Sequence, residues 1–127
     1  MKRLLLLFFA LASCSGPTSP SGLSGSVLLT NNGWDNGATA AYIFVQADAR
    51  DFGLVMGDTI YVPSGGSTCV NTGVVTLDSF YVAAFWPAPD SSWHSSGIMS
   101  LAQSTGWTWD GRTQQQPTAP CSGGRNL

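Results

Sequence analysis

The stretch DSFYVAAFWPAPDSSWHSSG, residues 78–97, decides the fold. In its first half Phe80, Val82, Ala84 and Trp86 fall on one face of an extended chain, and Tyr81, Ala83 and Phe85 on the other. A period of two with apolar residues on both faces describes a strand in the middle of a sheet, buried on one side and partly on the other. Pro87 and Pro89 end it, because proline has no N–H for a sheet ladder. The second half is polar, carries the chain's single histidine, His94, and reads as a connection at the edge of the fold.

The same period recurs outward from this strand. In SGSVLLT (24–30), Gly25, Val27 and Leu29 alternate with Ser26 and Thr30. In ATAAYIFVQA (38–47), Ala41, Ile43, Val45 and Ala47 oppose Tyr42, Phe44 and Gln46. DTIYVPSGGS (58–67) is a short strand closed by Pro63 and a Ser-Gly-Gly turn, and TCVNTGVVTLDS (68–79) a further strand region with Gly73 as turn or bulge. NNGWDNG (31–37) is dense in residues that accept positive φ. SGIMSLAQS (96–104) fits a short helix or a strand, and GWTWDG (106–111) reads as a final strand. The expectation is all-β: one small antiparallel β-sandwich of about seven strands separated by Gly, Asn and Pro turns.

The N-terminus has the anatomy of an export signal. Lys2 and Arg3 precede an apolar run, residues 4–11, too short to stay in a bilayer as a spanning helix. Two processing schemes compete. Ala10-Leu11-Ala12 suits a signal peptidase that cuts before Ser13; Leu11-Ala12-Ser13-Cys14 resembles the lipobox of bacterial lipoproteins, cut before a lipid-modified cysteine. The chain has three cysteines, and an odd thiol in an exported protein needs an explanation. Lipid on Cys14 leaves Cys69 and Cys121 as an even pair in an oxidising compartment, whereas the other scheme leaves one thiol over. Free buried thiols are the alternative to a Cys69–Cys121 disulfide.

The lipobox resemblance implies a diacylglyceryl group and an amide-linked acyl chain of the palmitate kind on Cys14, a stable anchor because each buried methylene contributes about 0.8 kcal/mol. Ser15 stands where an aspartate often marks inner-membrane retention, so the expected location is the cell envelope, at the outer membrane or cell surface rather than the inner membrane. The expected organisation is a signal peptide (1–13), a flexible tether (14–24) of stretched length at most about 35 Å, and one domain (25–127).

From Cys14 onward, three Arg against seven Asp, with no Lys or Glu, leave a net charge of −4. A chain with no basic patch is a poor partner for nucleic acid.

The Gly25-Ser26-Val27 opening, the strand of residues 41–45 and the strand of residues 80–85 resemble the transthyretin-like sandwiches of carboxypeptidase regulatory domains. The resemblance spans most of residues 22–110 and implies an Ig-like or transthyretin-like sandwich acting as a non-catalytic binding or stabilising module. Exported forms of that family often carry aspartates just after the late strand. Here Trp86-Pro87-Ala88-Pro89 occupies that place, which removes the basis for a metal role there.

Four kinds of candidate chemistry remain. His94 lies among Asp90, Ser91, Ser92, Ser95 and Ser96, so a Ser-His-Asp trio can be assembled on paper, but no nucleophile elbow or other flanking signature accompanies it. Oxygen ligands for calcium occur at Asn31, Asn32, Asp35 and Asn36, and at Asp48 and Asp51, without the spacing of a calcium loop. Cys69 and Cys121 form a staple rather than a redox pair, since no Cys-x-x-Cys exists. Trp34, Trp93, Trp107 and Trp109 are the candidate ligand-binding residues. Trp107 and Trp109, two apart, share one face of a strand and have core packing as the competing role, while Trp34 and Trp93 are placed in loops.

The expected function is a non-catalytic, lipid-anchored binding or structural module of the cell envelope, with no cofactor or catalytic residue. Its expected partners are the membrane, through Cys14, and an envelope protein or glycan. The alternatives are a carbohydrate-binding module using the tryptophans and, more distantly, a hydrolase centred on His94.

Overall fold

In a computed structural model, residues 24–33, 37–47, 54–72, 79–86 and 92–127 are described. Cys14 and the residues that resemble a lipobox before it, Trp34, Asp35, Asn36, Asp48, Asp51, Gly73, Asp90 and Ser91 lie outside them. Ten strands and no helix occur among the described residues. They are β1 (Ser26–Thr30), β2 (Ala40–Gln46), β3 (Val55–Val62), β4 (Ser67–Asn71), β5 (Ser79–Trp86), β6 (Ser92–Ser95), β7 (Met99–Ser100), β8 (Gly106–Trp109), β9 (Gln116–Pro117) and β10 (Arg125–Asn126).

The all-β expectation holds, but about seven antiparallel strands become ten in two sheets, one of them mixed. The first sheet runs β10-β4-β1-β8-β9 and the second β3-β2-β5-β6, with β7 also on β5. In the first, β1–β8 and β10–β4 are parallel pairs. The second is antiparallel throughout. Alternation reports which face a side chain takes and is blind to the direction of the neighbouring strand, so the parallel pairs left no mark in the pattern.

One core joins the two sheets. Val27, Leu29, Val70, Trp107 and Trp109 come from the first, and Tyr42, Phe44, Ile60, Val62, Phe80, Val82, Ala84 and Trp86 from the second. β5 follows its sequence reading throughout, with Phe80, Val82, Ala84 and Trp86 buried and the residues between them half-buried. In β2 the aromatic set, Tyr42 and Phe44, faces inward and the set containing Ala41 faces outward. Tyr42 bridges the layers, edge-on to Trp86 at 6.3 Å within its own sheet and to Trp109 at 5.9 Å across the core. Aromatic pairs of this geometry contribute about 0.5–1.5 kcal/mol beyond their buried area.

Three local readings change. SWHS, taken as part of a connection, is the edge strand β6, paired antiparallel with β5. Of the two readings of SGIMSLAQS the strand holds, but over two residues only, β7, and a turn follows in which the N–H groups of Gln103 and Ser104 donate to the Ser100 carbonyl. GWTWDG is not the final strand, because β9 and β10 follow it.

Those last two strands hold the polar C-terminal segment. β9 pairs with β8 at one edge of the first sheet, and β10 pairs with β4 toward the other. Between them the chain crosses the outer surface of that sheet, where the Cys121 N–H donates to the Ser26 hydroxyl at 2.9 Å and Cys121 bonds to Cys69. The crossing is close. A Cβ on Gly106 would lie 2.4 Å from the Thr118 carbonyl oxygen, and one on Gly124 would lie 2.0 Å from that of Cys69. Leu127 then packs against the core beside Gly57, and Arg125 faces Asp58 at 3.9 Å.

Tyr42 also links the fold to pH. Its hydroxyl donates to the Thr30 carbonyl. Burial, and then the nearby Asp110 carboxylate, push its pKa well above the ordinary 10.0. An unfolded phenol ionises near that value while the folded one stays neutral, so the stability Tyr42 provides is complete below pH 10.0 and drains as pH rises through the folded pKa. Urea midpoints of the wild type should therefore fall more steeply above pH 10 than those of Tyr42→Phe, which should start about 1 kcal/mol lower at neutral pH for its lost hydrogen bond. Parallel slopes for the two proteins would refute this account.

Candidate functional site: an aromatic row on the second sheet

The strand register places Tyr61, Ala41, Phe85 and Trp93 side by side. Ala41 of β2 is the partner of Tyr61 on β3 and of Phe85 on β5, and Phe85 is the partner of Trp93 on β6. Their inward-facing neighbours are Val62, Tyr42, Ala84 and Trp86, so the row projects from the opposite, outer face. Tyr61 is 67% exposed and Trp93 59% exposed, large values for rings of this size. Phe85 stacks on Trp93, with centroids 4.5 Å apart and planes 27° from parallel.

Between Tyr61 and Phe85 the small Ala41 side chain leaves a groove of about 330 Å³, lined by Thr39, Ala41, Tyr61 and Phe85. Each feature has a local cause. β2 is a central strand between β3 and β5, so its outward alanine becomes a floor with a ring standing on either side. Among the described residues no charged side chain lines the groove. A larger hollow, of about 480 Å³, lies where Ser24 and Gly25 enter the fold beside Pro120 and Cys121, and is lined by short side chains without an aromatic ring.

The other sequence candidates separate. Trp107 and Trp109 are 6% and 2% exposed and form core rather than a binding face. Their indole N–H groups donate to the carbonyls of Ser104 at 3.0 Å and Thr113 at 2.7 Å. Trp93 is exposed but sits on a strand, not in a loop.

His94 turns to the side of β6 opposite Trp93 and stands edge-on to Trp86 at 5.8 Å. The Ser96 hydroxyl, a member of the paper trio, accepts from the Val82 N–H at 2.8 Å and donates to the Gly97 carbonyl at 2.8 Å, serving the backbone. Trp86 Nε1 and Ser92 Oγ are buried without a hydrogen-bond partner among the described residues.

Asn31 is a structural lock. Its amide donates to the carbonyls of Ala38 and Val62, both at 2.9 Å, and its oxygen accepts from the Gly33 N–H at 3.0 Å. Asn32 reaches Asp110 at 3.4 Å. Burial pushes the Asp110 carboxyl up, but hydrogen bonds from the backbone of Thr113 and Arg112 and from the Thr113 side chain outweigh it and hold the pKa below the usual value. Asp110 thus organises the turn after β8, and Arg112 from that turn lies 5.3 Å over the Trp86 ring. Among the described residues no group of three or more His, Cys, Asp or Glu is placed to hold a metal ion.

No protein-family model, curated protein or solved structure matches this chain.

Sequence reasoning missed Tyr61 and Phe85. Tyr61 was one residue of a short strand, Phe85 the minor face of a core strand, and the alanine between them carried no signal. Only the register across three strands brings them together.

Proposed function

We propose that this chain is a non-catalytic binding module of the cell envelope, anchored by lipid on Cys14, with its two sheets forming a β-sandwich of the transthyretin-like kind. Its binding surface is the outer face of the second sheet. The observation that carries this reading is the row of Tyr61, Phe85 and Trp93, rings exposed or half-exposed on a rigid sheet and not needed to fill the core. The sandwich is supported by the single core shared by residues of both sheets. The anchor rests on the signal anatomy and on the pairing of Cys69 with Cys121, which leaves Cys14 as the odd cysteine.

The test has two parts. Intact mass of the mature protein should show acyl chains that vanish in Cys14→Ser; an unmodified chain beginning at Ser13 overturns the anchor. Crosslinking capture from envelope membranes should recover a component with the wild type and lose it with Trp93→Ala. Capture that is equal for the two proteins removes the aromatic row from the function.

A further inference from the structure

We infer that the groove between Tyr61 and Phe85 is a sugar subsite that takes one ring of a neutral glycan, with Trp93 backing the Phe85 wall. The inference rests on the binding-module reading above and gives its ligand a chemistry.

Width comes first. Tyr61 and Phe85 stand on strands separated by β2, two strand spacings or about 10 Å apart. Side chains rise roughly perpendicular to a sheet. A ligand ring between two such walls needs an approach of about 4 Å on each side. The space therefore admits a body one ring thick and excludes a helix or a packed protein surface. Its volume, about 330 Å³, is at the small end for a ligand site.

Charge and polarity come second. Among the described residues the lining consists of Thr39, Ala41, Tyr61 and Phe85, with no ionic group to compensate a charged ligand. A pyranose has an apolar face of C–H groups, slightly positive, that complements the negative face of an aromatic ring. Its hydroxyls lie around the ring edge, free to meet water and the hydroxyl-bearing side chains of the lining, Thr39 and Tyr61. Trp93, on the strand beyond Phe85, stacks on it at 4.5 Å and backs that wall of the groove with a second ring.

Position comes third. The tether enters at Ser24 and Gly25, and Gly25 abuts Leu101 beside the Ser79–Ser100 pair that begins β5. Phe85 lies six residues further along β5, about 20 Å away. The groove thus opens on the outer face of the second sheet, well away from the point where the chain enters the fold.

The test is isothermal titration of the full lipidated chain, in a detergent without a sugar headgroup, against cello-, malto-, manno- and N-acetylglucosamine oligomers. At least one neutral series should bind. Tyr61→Ala should weaken that binding by about tenfold or more, while Tyr61→Phe, which keeps the stacking face, should stay within about threefold. Tyr61 is mostly exposed, so both variants should keep the wild-type unfolding midpoint.

The subsite is overturned if no neutral oligomer binds, if Tyr61→Ala binds as the wild type does, or if acidic glycans or anionic vesicles compete better than neutral sugars. Trp93-dependent capture from envelope membranes without any sugar binding would defeat the subsite and leave the binding module standing. Loss of both would defeat both.

Discussion

Replacing Cys69 with serine is expected to lower the unfolding free energy by about 4 kcal/mol, from the entropy of a loop spanning 52 residues. Cys121→Ser should have the same effect. The double variant should be no worse than either single one, because one bond is lost in each case. Reduction of the wild type by a strong dithiol should reproduce the loss.

The structural reason extends beyond loop entropy. The segment tied down by Cys121 covers the outer surface of the first sheet, and its Cys121 N–H holds the Ser26 hydroxyl of β1. Denaturant titrations of the four proteins, read by far-ultraviolet circular dichroism, measure this directly. A double variant that loses twice what each single one does would show that the serines act through packing, and a loss under about 1 kcal/mol would show that β9 and β10 hold the segment unaided.

Trp109→Ala is expected to cost about 3–5 kcal/mol, the range for removing a large buried aromatic. Trp109 lies at the centre of the connection between layers, edge-on to Tyr42 and bonded through Nε1 to the Thr113 carbonyl. The alanine variant opens a void in the core, exposes part of Tyr42 to water and leaves that carbonyl without its donor. Trp109→Phe keeps most of the ring and should cost less, about 1–3 kcal/mol, chiefly for the orphaned carbonyl. A Trp109→Ala protein within about 1 kcal/mol of wild type would mean that the two sheets do not depend on this contact.

These two effects also mark what a reader of the sequence can reach. β5 was legible because all eight of its residues obey one alternation, and Trp107 and Trp109 because their spacing of two is that of a buried strand face. β6 was not, since an edge strand of four residues with serines at both ends has little to distinguish it from a loop. The tail from Thr113 onward was not legible as strand, because β9 and β10 are held by backbone hydrogen bonds and a disulfide rather than by apolar side chains.

The aromatic row shows the same divide in sharper form. Exposed tryptophan drew attention to Trp93 from the start. Its companions came into view only with the register, because Tyr61, Ala41 and Phe85 lie 20 and 44 residues apart along the chain.

The path of the C-terminal segment has a consequence in time rather than in space. As the chain emerges in order, the four main strands of the second sheet are all present by residue 95. The first sheet then still lacks β8, the parallel neighbour of its earliest strand, and β4 waits for its second partner until residues 125 and 126 have been made. Contacts of such long sequence separation form late and slowly. A chain emerging from its N-terminus would thus have half its architecture open until residues 125 and 126 reach β4.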